Sequence, residues 1–201
     1  MNLQDIQPAI AAIQNNLFIT DLRRYTYLST YPDIIVYTQG IDEIQVSQFQ
    51  QLAMMAYAWM PRVLRIDKAH LQLAIQAVND ATQTTIQNYQ NIGIQNIAMC
   101  LHSVVGASKL LHFANPNVFP IWDRKIQAFR DLPNGSYNMS KIQNYIDYVD
   151  NTHAIVTEEG FNDFYLQYGK VHVNRLNLSN ISLYQVGHLR TIEASAFELA
   201  P

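Results

Sequence analysis

Two ionisable side chains set in apolar surroundings dominate the chemistry open to this chain. Lys109 sits in the run Gly106–Ile126, GASKLLHFANPNVFPIWDRKI, directly ahead of Leu110, Leu111 and Phe113. Asp123 follows fourteen residues later, behind the equally apolar Phe119-Pro120-Ile121-Trp122. A lysine and a carboxylate placed among apolar residues are costly to desolvate unless they are paired or used. Desolvation lowers the pKa of a lysine and frees its amine to act as a nucleophile. The plainer alternative is a structural ion pair that pins two helices. Removing one partner of a buried pair costs about 3–5 kcal/mol.

Several neighbours could complete a site. Trp122, Trp59 and Phe113 offer aromatic surface, and Ser108 and His112 flank Lys109, His112 one helical turn on. The segment Tyr57–Asp67, YAWMPRVLRID, follows Trp59 with Arg62 and Arg65, which suit a phosphate or a base; the plainer reading, favoured for Arg65, is a helix end with Trp59 in the core and its arginines solvated. Arg124 and Lys125 add to a local excess of three positive charges between Ser103 and Arg130, on a chain of net charge −3. The overall charge gives no field to attract nucleic acid nonspecifically, so any such contact must be local.

Other chemistries find little support. The six histidines lack zinc-motif spacing, so no metal site is expected. There is no phosphate-binding glycine loop, dinucleotide fingerprint or G-x-S-x-G elbow, so no cofactor is expected. Cys100 is the only cysteine, which rules out an intrachain disulfide; among Ile97, Ala98, Met99 and Leu101 it reads as a small buried apolar residue. The clusters of tyrosine with arginine, such as Tyr25, Tyr27 and Tyr31 near Arg23 and Arg24, fit single-stranded nucleic acid, a protein interface or a core edge.

The Lys109 segment resembles the helix-hairpin-helix DNA glycosylases, especially the 8-oxoguanine glycosylase branch and its small bacterial relatives. Those proteins carry a glycine-containing turn, a helix bearing a lysine, an apolar stretch, then a proline and an aspartate opening the next helix. The matching positions are Gly106, Lys109, Leu110–Phe113, Pro120 and Asp123. The close match covers about twenty residues, with a shorter lysine-to-aspartate interval and SVVGAS where the family has an LPGVG-like turn. The resemblance implies that Lys109 attacks the sugar C1′ to form a Schiff base and that Asp123 stabilises the positive charge or helps activate the amine. It implies a base-excision glycosylase with abasic-site lyase activity, acting on a flipped base in damaged DNA; a separate reading, an enzyme of small-molecule nucleosides, fits the weak overall charge better than DNA does. Trp122, Trp59, His112 and Ser108 would then contact substrate, and Arg62, Arg65, Arg124 and Lys125 would hold phosphates. The alternative is a noncatalytic helical module that binds nucleic acid or a protein partner, with Lys109–Asp123 as its ion pair.

The elements that must position these residues are helical. Hydrophobic residues make up 49% of the 201, enough for one large core, and charged residues only 14%. Apolar spacing predicts helices through Leu3–Ile13, from a Ser47 cap to Pro61, from Leu71 past Ile86 towards Gly93, and over Ile94–Leu101. Gly106 is expected to break the chain before a helix over Ser108–Ala114. Further helices are predicted over Trp122–Leu132, Ile142–Val149, Glu159–Tyr168 and Ser182–Phe197. Asp33–Gln39 and Val171–Leu176 read as short β-like runs. The expectation is a mainly α single domain of the helix-hairpin-helix glycosylase kind, with a helical lobe over 1–92 and a second lobe over 93–201. No signal peptide or membrane span is apparent, so a cytoplasmic, reducing compartment is the default.

Overall fold

The computed structural model describes residues 1–60, 62–130 and 136–200. All regular structure among them is helical. The helices are α1 (Leu3–Ile6), α2 (Ala9–Gln14), α3 (Leu22–Gln39), α4 (Val46–Ala58), α5 (Leu71–Gln83), α6 (Ile94–Cys100), α7 (Val104–Ala114), α8 (Arg124–Phe129), α9 (Ser136–Met139), α10 (Ile142–Val156), α11 (Phe161–Leu178) and α12 (His188–Leu199). A 3₁₀ turn, Tyr89–Asn91, separates α5 from α6. None of the described helices is long and apolar enough to cross a membrane.

Helix α7 is the central element. Its residues Gly106 through Phe113 are all buried, and α3, α4, α5, α6 and α10 pack around it. Helix α12 gathers α1, α2, α8, α10 and α11 on the other side of the site. Lys109 is therefore carried on the most enclosed helix of the fold.

The expected break at Gly106 lies elsewhere. Helix α6 ends at Leu101 and the chain turns at His102, whose φ of 48° is left-handed. Ser103 N donates to Ala98 O and His102 N to Met99 O, which closes α6 in a Schellman motif. Ser103 then caps α7, its Oγ accepting from Gly106 N at 2.9 Å. Gly106 is inside α7 because two helices meet there. A Cβ at Gly106 would lie 3.0 Å from the Tyr57 ring, and Tyr57 Oη donates to Leu101 O at 2.8 Å. A glycine in a helix interior thus marks a close crossing of α4 and α7, not a turn.

The two β-like runs are helical as well. Asp33–Gln39 ends α3, where Tyr31, Ile34 and Thr38 are the buried residues, and Val171–Leu176 lies inside α11, where Phe161, Phe164, Tyr168, Val171, His172 and Arg175 are buried. Spacings of three and four over a long segment outweigh the weak preference of a short β-branched run. Ser47 is not the cap of α4; Gln45 occupies that position, and Gln48 Oε1 accepts from its backbone N–H. The predicted helices to Pro61 and Leu132 reach residues outside those described, while α4 itself stops at Ala58 and α8 starts after Asp123.

Candidate functional site

The segment between α7 and α8 fixes the relation of Lys109 to Asp123. It is not extended throughout: residues 116–118 form a turn, closed by Val118 N and Phe119 N donating to Asn115 O at 3.2 and 3.1 Å, before the chain runs out through Pro120 to Asp123. Asn115 Nδ2 donates to the Ala81 and Thr84 carbonyls, both at 2.9 Å, and Tyr145 Oη donates to Pro120 O at 3.2 Å. Ser108 Oγ accepts from Trp122 N at 3.0 Å and donates to Val105 O at 2.9 Å. Ser108 precedes Lys109 and Trp122 precedes Asp123, so this one buried clasp sets both residues. Asp123 in turn caps α8, its Oδ1 accepting from Ile126 N at 2.9 Å.

Lys109 and Asp123 line the same cleft. Faces of three helices complete it: Arg24, Tyr27 and Leu28 from α3, Tyr168, His172 and Arg175 from α11, and Arg190, Glu193, Ala194, Phe197 and Glu198 from α12, with Trp59 at the end of α4. Its volume is about 70 Å³, room for about five water molecules.

Lys109 is 5% exposed. Its Nζ donates to Trp59 O at 3.0 Å and lies 5.8 Å from the centre of the Trp59 ring. The Trp59 carbonyl belongs to the last turn of α4, which leaves it without a partner in the helix, and it also accepts from Tyr27 Oη. Among the described residues Lys109 makes no ion pair within 4 Å; the carboxylate of Asp123 is near enough to favour its charge but does not bond it. Burial wins over that attraction and lowers the amine to about 8. A buried lysine bonded to a neutral carbonyl, with its carboxylate held apart across a cleft, can release its proton near neutral pH.

Arg190 and Glu193 form the far wall. The guanidinium of Arg190 pairs with Glu193 Oε1 and lies 4.8 Å from the Tyr31 ring and 5.8 Å from the Trp59 ring. Burial opposes the charge on Arg190, but Glu193 and Tyr31 more than offset it and raise its pKa. Burial pushes the Glu193 carboxyl up, against the pull of Arg190. His172 is 4% exposed and its Nε2 has no hydrogen-bond partner among the described residues; its ring stacks on Tyr168, with 6.0 Å between centres. Burial first, and the nearby Arg190 and Arg175 next, lower it to about 4, so it is neutral.

Of the residues singled out from sequence, Lys109, Asp123 and Trp59 meet in the cleft. Trp122 does not: it is fully buried against Tyr148, 5.4 Å between ring centres, with the Arg130 guanidinium 5.8 Å from its ring. His112 is likewise in the core. Its Nδ1 donates to Phe119 O at 2.7 Å, so its Nε2 accepts from Tyr31 Oη at 3.0 Å, and burial lowers it to about 3. Ser108 is buried in the clasp and positions the site instead of facing it. Arg62 and Arg65 are exposed and do not line the cleft. Arg124 is exposed beside Asp123, and Lys125 Nζ lies 4.5 Å from the centre of the Phe197 ring on the cleft wall. Sequence reasoning passed over Arg190, Glu193, His172 and Arg175. The signal was present in α12, HLRTIEASAFEL, where a charged pair stands among apolar and small residues as Lys109 does.

Among the described residues no group of His, Cys, Asp and Glu is placed to hold a metal ion. Comparison of the chain with protein-family models, with curated proteins and with solved structures finds no match.

Proposed function

We propose that this chain is a glycosylase/lyase-like enzyme that uses the Lys109 amine as its nucleophile on a nucleotide whose base is turned into the cleft. The observation that carries the reading is the state of Lys109: 5% exposed, lowered to about 8, on the wall of a cleft it shares with Asp123 and unpaired with it. A structural ion pair would place the two charged groups in contact. The resemblance of Gly106–Asp123 to helix-hairpin-helix glycosylases supports the same assignment, as does the α6–turn–α7 hairpin that carries Lys109.

The residues divide the work as follows. The neutral amine of Lys109 attacks C1′; the N-glycosidic bond breaks and the base leaves with the bonding pair. The nitrogen on C1′ then gives up a proton, and its lone pair closes the C=N bond as the C1′–O4′ bond breaks, O4′ keeping the electron pair and taking that proton, which leaves an open sugar held as a protonated Schiff base. Asp123 faces the oxocarbenium-like charge that develops on the sugar. Trp59 and Phe197 offer flat apolar surface to the displaced base. Arg124 and Lys125, on the first turn after Asp123, are placed to meet the backbone.

The competing reading is a noncatalytic helical module in which Lys109 ties α7 to the end of α4. It draws on the Lys109–Trp59 O bond. Borohydride trapping separates the two. Duplexes carrying 8-oxoguanine or an abasic site are expected to give a covalent adduct with the wild type and none with Lys109→Gln. Absence of any adduct with the folded wild type would leave Lys109 a structural residue.

A further inference from the structure

At the mouth of the cleft two guanidinium groups converge on one carboxylate. Arg24 Nη1 of α3 meets Glu198 Oε1 at 3.2 Å. From α11, Arg175 Nη1 meets Glu198 Oε2 at 3.0 Å and its Nη2 meets Oε1 at 3.1 Å. Arg175 is 4% exposed, is anchored by a 3.0 Å bond from Nη2 to Asn16 O, and keeps a buried Nε without a partner. One turn earlier on the same helix, His172 also lines the cleft, its buried Nε2 without a hydrogen-bond partner among the described residues.

We infer that the Arg24–Arg175 clamp is a phosphate subsite, and that Glu198 occupies it as a resident anion until a phosphate group of the substrate replaces it. Paired N–H donors held in a fixed fork suit two oxygens of a phosphate as they suit a carboxylate. Arg175 is held in that geometry by the Asn16 carbonyl, so the clamp is built before ligand arrives. Burial works against the Glu198 carboxylate, and only Arg175 and Arg24 hold its pKa below the usual range, so its charge depends on the clamp. Glu198 lies in the last turn of α12, where the helix dipole disfavours negative charge. The cleft carries Arg24, Lys109, Arg175 and Arg190 against Asp123, Glu193 and Glu198. Withdrawal of Glu198 therefore deepens its positive character, on a chain that is negative overall. His172, neutral and short of one partner, can bond a phosphate oxygen or hydroxyl at the inner side.

This inference rests on the cleft being the substrate site proposed above, and its test keeps the two apart. Binding of inorganic phosphate, 2′-deoxyguanosine and 2′-deoxyguanosine 5′-monophosphate is measured by calorimetry on the wild type, Glu198→Gln and Arg24→Gln. Arg24 is the more exposed of the two arginines, 25% at its side chain against 5% for Arg175, and its replacement leaves Glu198 paired with Arg175; thermal melting confirms that the variant is folded. The monophosphate is expected to bind about tenfold more tightly than the nucleoside, and Arg24→Gln to remove that preference. Glu198→Gln is expected to tighten phosphate binding by about five- to tenfold. Equal binding of nucleoside and monophosphate, with no gain for phosphate in Glu198→Gln, would overturn the subsite and leave Glu198 a structural ion-pair residue. Tighter phosphate binding in Glu198→Gln with no binding of either guanosine probe would uphold the subsite and count against a nucleotide substrate. Competition by an abasic oligonucleotide assigns the phosphate to a nucleic-acid backbone; competition by the mononucleotide alone assigns it to a free nucleotide.

Discussion

Replacing Lys109 with methionine should make the protein more stable while removing its reactivity. The structure lowers the Lys109 amine from 10.5 to about 8 through burial. Each pKa unit corresponds to about 1.4 kcal/mol, so the shift represents a burial penalty of about 3 kcal/mol at neutral pH. Methionine fills a similar volume without a charge. The change gives up one charge-assisted hydrogen bond to Trp59 O, but that carbonyl keeps Tyr27 Oη as a donor and is not orphaned. The net expectation is a gain of about 1–3 kcal/mol at pH 7, read by urea unfolding. The pH dependence checks the cause. Below pH 8 Lys109 is charged in both states and the penalty is constant. Between about 8 and 10.5 the unfolded chain binds more protons than the folded one, so wild-type stability rises with pH relative to the variant. The gap between the two should therefore close by about pH 10.5. If Lys109 were instead one half of a stabilising ion pair, the substitution would cost about 3–5 kcal/mol. A loss of that size, or a gap independent of pH, would refute the burial argument.

Asp123→Asn should keep the cap on α8, since asparagine caps as well as aspartate. It should also remove the charge that holds the Lys109 amine up, so the pH midpoint of borohydride trapping should fall below that of the wild type, with about a 10²-fold lower rate; an unchanged profile would detach Asp123 from the site. Gly106→Ala ordinarily gains about 1 kcal/mol in a helix interior, but here the new Cβ meets the buried Tyr57 ring at 3.0 Å. Thermal melting should show a net loss, and a rise in Tm would disprove the close crossing. His112 and His172 are held near 3 and 4 against an ordinary 6.5. The unfolded chain thus binds two more protons as pH falls from 6.5 towards 4, and stability should drop by up to about 3 kcal/mol per pH unit in that window. His172→Phe should halve the slope; an unaltered slope would place the acid sensitivity elsewhere.

The amino-acid sequence alone settled the helical character of the chain and the local chemistry of its central segment. Three- and fourfold spacing of apolar residues is a local property, and most helices follow it. The apolar setting of Lys109 made it a residue that had to be desolvated, and Asp123 capping α8 is legible from its place at the head of a helical run. Local reading failed where a residue serves a partner distant in sequence. Gly106 reads as a turn because the Tyr57 ring that requires it lies in another helix. Trp122, Ser108 and His112 read as site residues because proximity along the chain is not orientation, and each points into packing around α7. The cleft itself belongs to the tertiary structure. Arg24, Arg175 and Glu198 look like ordinary solvated charges until the fold turns them inward, and the apolar setting of Arg190 and Glu193 does not say which partners they meet. Only the packing of α3, α11 and α12 around the end of α4 decides that these charges are desolvated, paired and aimed at Lys109.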